Sequence, residues 1–375
     1  MITGPFGSIP PNTIGAVERV WYNVACSMVQ QGHKVFFISK KYNELDRNGI
    51  NKDGIYVDYI RGFKSKKHII QTVFFDFFYS VKALRKMKKC DVLVLNTFWT
   101  PFLCPFVRHK YKISVYNVQR FPKGQFKYYK HVNRLSCVSI AISNALIRQI
   151  PSAKERVKVI NNPIDIHAFY PIDKQRSDNF IKLLYTGRVH PEKGLDILVK
   201  SFCILRKEYE NLQLSIVGAH KIAQGGGGKE YIDYLTSLSN DYDIHFIDPI
   251  YDPKQLCDEI VSHDIFCYPS VAEKGETFGV APLEAMATGI PTIVSALECF
   301  RDFAIDGENA LIFNHRVENP ELELCNAIRM LINNQALREE ISKNGAKTAR
   351  EYFSTEKIAN EYIADFNYLL ENKLK

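Results

Sequence analysis

Two glutamates separated by seven residues, Glu276 and Glu284, bracket a Phe278-Gly279 turn in the stretch 272–295, AEKGETFGVAPLEAMATGIPTIVS. The order is that of a polar loop, a turn, a helix opening near Pro282 and stopping at Gly289, and a strand from Pro291. Gly279 lets backbone approach a ligand closely, and the open N–H groups at the start of the helix favour a phosphate. Pro282 suits a helix start, where its missing N–H costs nothing. A carboxylate repels phosphate but accepts a hydroxyl well. Two carboxylates around one anion-friendly turn therefore suit a molecule with a diphosphate in its middle and sugar hydroxyls at both ends, a nucleotide sugar. Farther back, Gly187-Arg188 leaves a buried-strand pattern at 181–185, and Glu192-Lys193-Gly194 opens a helix running towards Arg206. An arginine and a lysine five apart, facing one cleft mouth, form a clamp that neutralises a departing diphosphate. The plain alternatives are solvated glutamates in an ordinary α/β loop and surface charge at a strand end.

The elements that must hold these residues read as two successive α/β halves. A very short first strand and a Gly/Pro loop lead into a helix at 16–31, where Val17, Val20, Trp21, Val24, Ala25 and Met28 recur at helical spacing. Gly32 stops it, and a strand follows at 34–39. Buried strands are expected at 90–97 and 113–118, a strand and a helix start at 136–146, and a polar linker at 173–179. Beyond it come a strand at 212–218, a flexible connector carrying Gly225 to Gly228, a helix at 231–238 and a strand at 244–247. The four glycines imitate a phosphate loop only superficially, since Lys229 is followed by Glu230. Asp241-Tyr242-Asp243 precedes a strand rather than ending one and reads as a solvated turn. The last segment starts with a cap at Ser354 and shows Ile358, Tyr362, Phe366 and Leu369 on one helical face.

Glu, seven residues and Glu, with Phe-Gly after the first and Ala-Met-Ala-x-Gly-x-Pro after the second, resembles the signature of the retaining glycosyltransferases of family 4. Gly187-Arg188 with Glu192-Lys193-Gly194, and the Asn162-Pro163-Ile164-Asp165 turn, are similar to further segments of that family. The resemblance implies an α/β GT-B fold, two Rossmann-like domains facing a central cleft. They would be an acceptor-binding domain at 1–171, a nucleotide-sugar-binding domain at 172–354 and a helix at 355–375 returning to the first domain. It implies that Arg188 and Lys193 neutralise the diphosphate, that Glu276 holds hydroxyls of the transferred sugar, and that Glu284 holds those of the ribose. Gly187, Gly218, Phe278, Gly279 and Val280 would line the donor, and Ile250 would lie against the base. Gly15 stands at the first of two positions where the family has a glycine pair; Ala16 replaces the second. Asn96 and Gln119 occupy strand ends where many members carry a histidine facing the sugar, so only an amide is available there. The implied reaction is front-side attack with retention, the diphosphate taking the acceptor's proton. The donor expected is a UDP-sugar ahead of a GDP-sugar, with no cofactor and no metal, because the cations belong to the chain. A sugar-nucleotide epimerase would share the diphosphate site but need further carboxylates and histidines; a non-catalytic binder would keep the clamp without turnover.

Charge points to the acceptor. Residues 1–171 hold 27 Lys+Arg against 9 Asp+Glu, or +18, while residues 172–375 hold 22 against 32, or −10. No acidic residue lies between Asp91 and Glu155. Such a field gathers anions. It suits a lipid-linked diphosphate glycan, a lipopolysaccharide core or an acidic capsule chain better than nucleic acid, for which no recognition motif is interleaved. Residues 61–89 carry nine Lys+Arg and one acid around Phe74, Phe75, Phe77, Phe78 and Tyr79. They fit a core helix with a solvated basic face, or a helix resting on an anionic bilayer. No apolar run approaches the roughly 20 residues of a membrane span. Nine scattered cysteines without metal-ligand spacing, and no leader, suggest a cytoplasmic protein, peripheral on the inner membrane face at most.

Overall fold

The structure is a computed structural model that describes residues 1–11, 16–42, 46–63, 69–172, 179–239 and 242–373. The chain divides into two compact units, Met1–Pro163 with Thr355–Lys375, and Ile164–Ser354. The division falls after Pro163 rather than after Pro171. Residues 164–171 are fastened to the second unit: the Ile164 N–H donates to Phe353 O at 2.8 Å, Arg350 donates to Ile166 O at 3.2 Å, and Phe169 is buried. Of the expected linker, residues 173–178 lie outside the described residues.

In the first unit, helix α1 (Ala16–Gln30) is followed by strands β1 (Phe36–Lys40), β2 (Gly49–Ile50) and β3 (Tyr56–Ile60). Helix α2 (Ile69–Lys86) then leads to β4 (Cys90–Leu95), α3 (Thr100–Leu103) and β5 (Tyr111–Val118). Strand β6 (Arg134–Cys137), helix α4 (Ile140–Gln149) and β7 (Val157–Val159) complete it. Ile2 supplies the short first strand as single bridges to Ile38 and Leu95, joining β1-β3-β2 to the parallel run β4-β5-β6-β7. The last helix, Thr355–Lys373, packs on α1 in the same core, with the Trp21 and Tyr362 rings 4.9 Å apart. Its Asp365, 1% exposed, takes both Arg134 nitrogens at 3.0 and 2.9 Å. Buried carboxylates require such pairing.

The second unit holds β8 (Ile181–Thr186), α5 (Leu195–Arg206), β9 (Leu212–Val217), α6 (Gly228–Leu238) and β10 (Ile244–Ile247). It continues through α7 (Pro253–Val261), β11 (Ile265–Tyr268), α8 (Val280–Ala287), β12 (Thr292–Ser295) and β13 (Leu311–Phe313) to α9 (Pro320–Asn333) and α10 (Gln335–Tyr352). All six strands are parallel in the order β10-β9-β8-β11-β12-β13. With both faces covered, the strands are continuous apolar runs such as Leu183-Leu184-Tyr185 and Ile265-Phe266-Cys267. The winding reverses between β8 and β11. In open parallel sheets ligands bind outside the carboxyl ends of the strands at such a switch point.

Candidate active site

The loops leaving β8 and β11 carry the residues singled out by their chemistry. Gly187 bonds back through its N–H to Val217 O at 3.0 Å. A Cβ on Gly218, at the end of β9, would stand 1.6 Å from Gly187 O, so the two strand ends meet backbone against backbone. After Gly187 the chain makes a one-turn 3-10 helix, Pro191–Lys193, capped by His190, and turns at Gly194. Gly194 lies in the left-handed region (φ 64°), where a Cβ would press 2.2 Å from Pro269 O. That close approach seats Lys193 against the end of β11.

Lys193 is 5% exposed, and its Nζ lies 2.6 Å from Glu276 Oε2. Tyr268 Oη donates to the same oxygen at 3.2 Å, and the Tyr268 ring lies 5.5 Å beneath the ammonium. Tyr185 stacks on Tyr268 at 5.5 Å and donates its hydroxyl to Arg188 O at 2.9 Å. Burial alone would lower the Lys193 pKa; the charge of Glu276, with Tyr185 and the hydrogen bond to Glu276, outweighs it and leaves the value raised, so the ammonium stays charged. Burial, then Glu276, pushes the Tyr268 hydroxyl well above its usual range; for Tyr185 the order is burial, then Tyr268. Both remain protonated donors. Arg188 pairs with Glu192 Oε1 at 2.5 Å and donates to Gly225 O at 2.9 Å. Each cation of the expected clamp thus already faces a carboxylate.

Glu276 is held by a tight local turn, its N–H donating to Ala272 O at 2.9 Å. Val271 N and Ser270 Oγ both donate to Glu192 O, at 3.1 and 3.3 Å, which ties this loop to the Lys193 turn. Gly279 caps α8 with φ 96°, and a Cβ there would overlap Phe300 at 2.5 Å. The Phe300 ring in turn meets Tyr268 at 5.8 Å, so the cation, the carboxylate and the glycine turn form one contiguous cluster. Val280 begins α8, with its N–H among those that have no intrahelical acceptor. Glu284 is half-buried in the second turn of the helix. Phe278, expected to line the donor, is 1% exposed and packs its ring on Phe303 and Phe353.

The four-glycine segment is also different from the flexible connector expected. Gly227 N donates to Val189 O and Gly228 N to His220 O, both at 2.8 Å, and Gly225 O holds Arg188. Glycine there serves close packing, since a Cβ on Gly226 would meet His220 backbone at 2.2 Å. Ile250 is half-buried in the coil after β10, beside Tyr251, whose hydroxyl accepts from Gln224. In the first unit, Asn96 donates to Ile2 O at 3.2 Å and leaves its buried Oδ1 without a partner among the described residues. Gln119 spends both ends of its amide on Asn162, at 2.9 and 3.2 Å. Gly15 lies outside the described residues.

Sequence reasoning missed Glu192 as the partner of Arg188, although the i, i+4 spacing was a usable signal. It also missed Tyr268, the last residue of β11, and the clasp in which Glu273 Oε1 takes Arg316 Nε at 2.7 Å and His315 Nε2 at 3.1 Å. No local pattern links residues 42 and 43 positions apart.

Two family models match, Glycosyltransferase Family 4 over residues 15–168 and Glycosyl transferases group 1 over residues 170–348. The chain belongs to glycosyltransferase family 4. It is 28% identical over 199 residues to the capsular polysaccharide biosynthesis glycosyltransferase CapM of Staphylococcus aureus, covering 53% of this chain and 48% of that protein. It is 30% identical over 176 residues to the phosphatidyl-myo-inositol mannosyltransferase of Mycobacterium leprae, covering 45% and 42%. The chain therefore spans about half the length of the curated relatives it matches. Among solved structures, Anabaena HepE in complex with UDP-glucose aligns over 94% of this chain and 96% of its own, with a TM-score of 0.71 at 18% identity. The family member described here has the GT-B fold, with two Rossmann-like units.

Proposed function

We propose that this chain is a retaining glycosyltransferase that moves a sugar from a nucleotide diphosphate sugar to a hydroxyl of an anionic acceptor. The observation that carries the reading is the buried Lys193–Glu276 pair, which joins two motifs 83 residues apart at 2.6 Å beside the Gly279 turn. On donor binding, Lys193 and Arg188 exchange their carboxylates for diphosphate oxygens, which leaves Glu276 to accept hydroxyls of the transferred sugar. Glu284, one turn into α8, takes those of the ribose, and the Gly279 and Val280 N–H groups add to the stabilisation of the leaving group. The C1–O bond to the diphosphate breaks with its electron pair going to the phosphate oxygen. The acceptor oxygen bonds C1 on the same face, and its proton passes to that phosphate oxygen. Fixed cations supply the charge, and the reaction is metal-independent.

A UDP-sugar is the favoured donor ahead of a GDP-sugar, which the UDP-glucose bound by HepE supports; in this reading Ile250 lies against the base. The field of +18 over residues 1–171 supports an acceptor such as a lipid-linked diphosphate glycan, a lipopolysaccharide core or an acidic capsule chain. Thermal-shift screening of UDP, GDP, ADP and dTDP selects the base, and proton NMR of the product formed from the matching α-linked donor reads the new linkage. An α-anomer is expected. A β-anomer removes the retaining mechanism, and a bound donor with no turnover makes the chain a binder.

A further inference from the structure

Helix α2 sets Ile70, Phe74 and Phe78 in one line at i, i+4 and i+8, and they are 80%, 58% and 43% exposed. The other face of the helix is committed to the protein. Tyr79, Ala83 and Leu84 are buried, Asp76 accepts the Trp99 N–H at 3.0 Å, and Trp99 Nε1 donates to Val73 O at 2.9 Å. Half-buried rings connect this line to Tyr128: Phe78 on Phe77 at 5.6 Å, Phe77 on Trp99 at 5.4 Å, Trp99 on Phe102 at 5.3 Å and Phe102 on Tyr128 at 6.0 Å. Tyr128 is 56% exposed. Phe106, 82% exposed, stands on the 3-10 segment Cys104–Lys110, which Lys110 fastens to the end of α2 through the carbonyls of Leu84, Arg85 and Met87. Single exposed apolar residues need no explanation, but a connected set does.

We propose that this face docks on an anionic phospholipid bilayer, with α2 lying in the headgroup plane and Phe74, Phe78 and Phe106 entering the acyl boundary. The inference goes beyond the donor chemistry and does not rest on it. Charge decides the occupant. Lys82, Arg85, Arg108, Lys123, Lys127 and Lys130 are all exposed, the segment from Asp91 to Glu155 has no acid between its ends, and Asp76, the acid of α2, is buried. A protein interface depletes lysine at its centre, whereas aromatic side chains among lysines match acyl chains beneath phosphates. Each Lys or Arg near such a surface is worth about fivefold in partitioning.

The test is co-sedimentation of the full chain with phosphatidylcholine vesicles, with and without about one-fifth phosphatidylglycerol, at low and high salt. Binding is expected to the anionic vesicles only, and to weaken with salt. Phe74→Ser with Phe78→Ser should lower partitioning at least about tenfold, and Lys82→Glu with Arg85→Glu about 25-fold or more. Both variants should keep the wild-type melting temperature and donor hydrolysis; Phe106→Ser replaces the phenylalanine pair if that variant unfolds. Equal binding to both vesicle types, variants that sediment like wild type, or preference for an RNA over the vesicles would overturn the proposal. If the wild type hydrolyses no donor, the donor reading fails and the vesicle result still decides this one.

Discussion

Replacing Lys193 separates the structural from the chemical role of the central pair. Its side chain and that of Glu276 are 7% and 11% exposed, so their attraction is little screened. Breaking a buried pair from one side costs about 3–5 kcal/mol, because the remaining charge is stranded. Tyr268, 3.2 Å from Glu276, stays as a donor and brings Lys193→Met to the lower end, about 3 kcal/mol. For a unit of this size that is about 6–12 °C in melting temperature. Lys193→Met with Glu276→Gln strands no charge and should recover most of the stability. Activity should behave otherwise. Loss of one fixed charge-stabilising donor costs about 10²–10³ in kcat, and the double variant should stay at least as impaired as the single. The folded-state pKa of Lys193 is raised above its ordinary 10.5, so the pair's contribution is whole below that pH and fades only as pH climbs through the higher folded value. The contribution of Lys193 to wild-type stability should accordingly be flat from about pH 6 to pH 9. Urea melts and donor turnover on the same samples provide both readouts. A double variant that regains activity together with stability would refute the reasoning, since the pair would then be structural only.

Gly218→Ala places a methyl 1.6 Å from the Gly187 carbonyl and should cost about 3 kcal/mol or more in urea melts. Gly4→Ala, with nothing among the described residues within 4 Å, should stay within about 0.5 kcal/mol of wild type. Burial raises the Asp76 pKa from 3.8 to about 6, against the opposing N–H groups of Trp99 and Phe98 and the Ser80 hydroxyl. The folded chain therefore binds this proton more tightly than the unfolded chain, and stability falls as pH rises from about 4 to about 6, by about 2–3 kcal/mol from this group. Asp76→Asn should flatten that part of the stability profile; an unchanged slope would assign it elsewhere.

The second unit was legible because its strands are buried on both faces and read as plain apolar runs. The strand expected at 181–185 is Ile181–Thr186, and the one at 244–247 matches Ile244–Ile247. Helix starts were less legible where a glycine breaks the geometry. The helix expected from Glu192 begins at Leu195, because Gly194 is left-handed and closes a separate 3-10 turn. The four-glycine segment misled because backbone hydrogen bonds leave no trace in composition. The domain boundary misled because the polar run at 173–179 marks a change of composition, whereas contact with Phe353 and Arg350 fixes where residues 164–171 fold. At the site, motif order singled out Arg188, Lys193 and Glu276, but which charge meets which is a property of the sheet. Only the crossing at the β8 and β11 ends brings Lys193 onto Glu276 and leaves Glu192 to Arg188. For residues 61–89 the composition fitted either a core helix with a solvated basic face or a helix resting on an anionic bilayer, and the inward packing of Tyr79 and Leu84 shows which phenylalanines are exposed.

The central claim is that Arg188 and Lys193 hold a diphosphate, and titration calorimetry of a nucleoside against its diphosphate tests it most directly. The preferred nucleoside diphosphate should bind wild type at least about 100-fold more tightly than the bare nucleoside, about 2.7 kcal/mol. In Arg188→Ala with Lys193→Met that increment should collapse to less than about tenfold while nucleoside affinity is kept. An increment that survives the double substitution would place the phosphates on other groups and contradict the account.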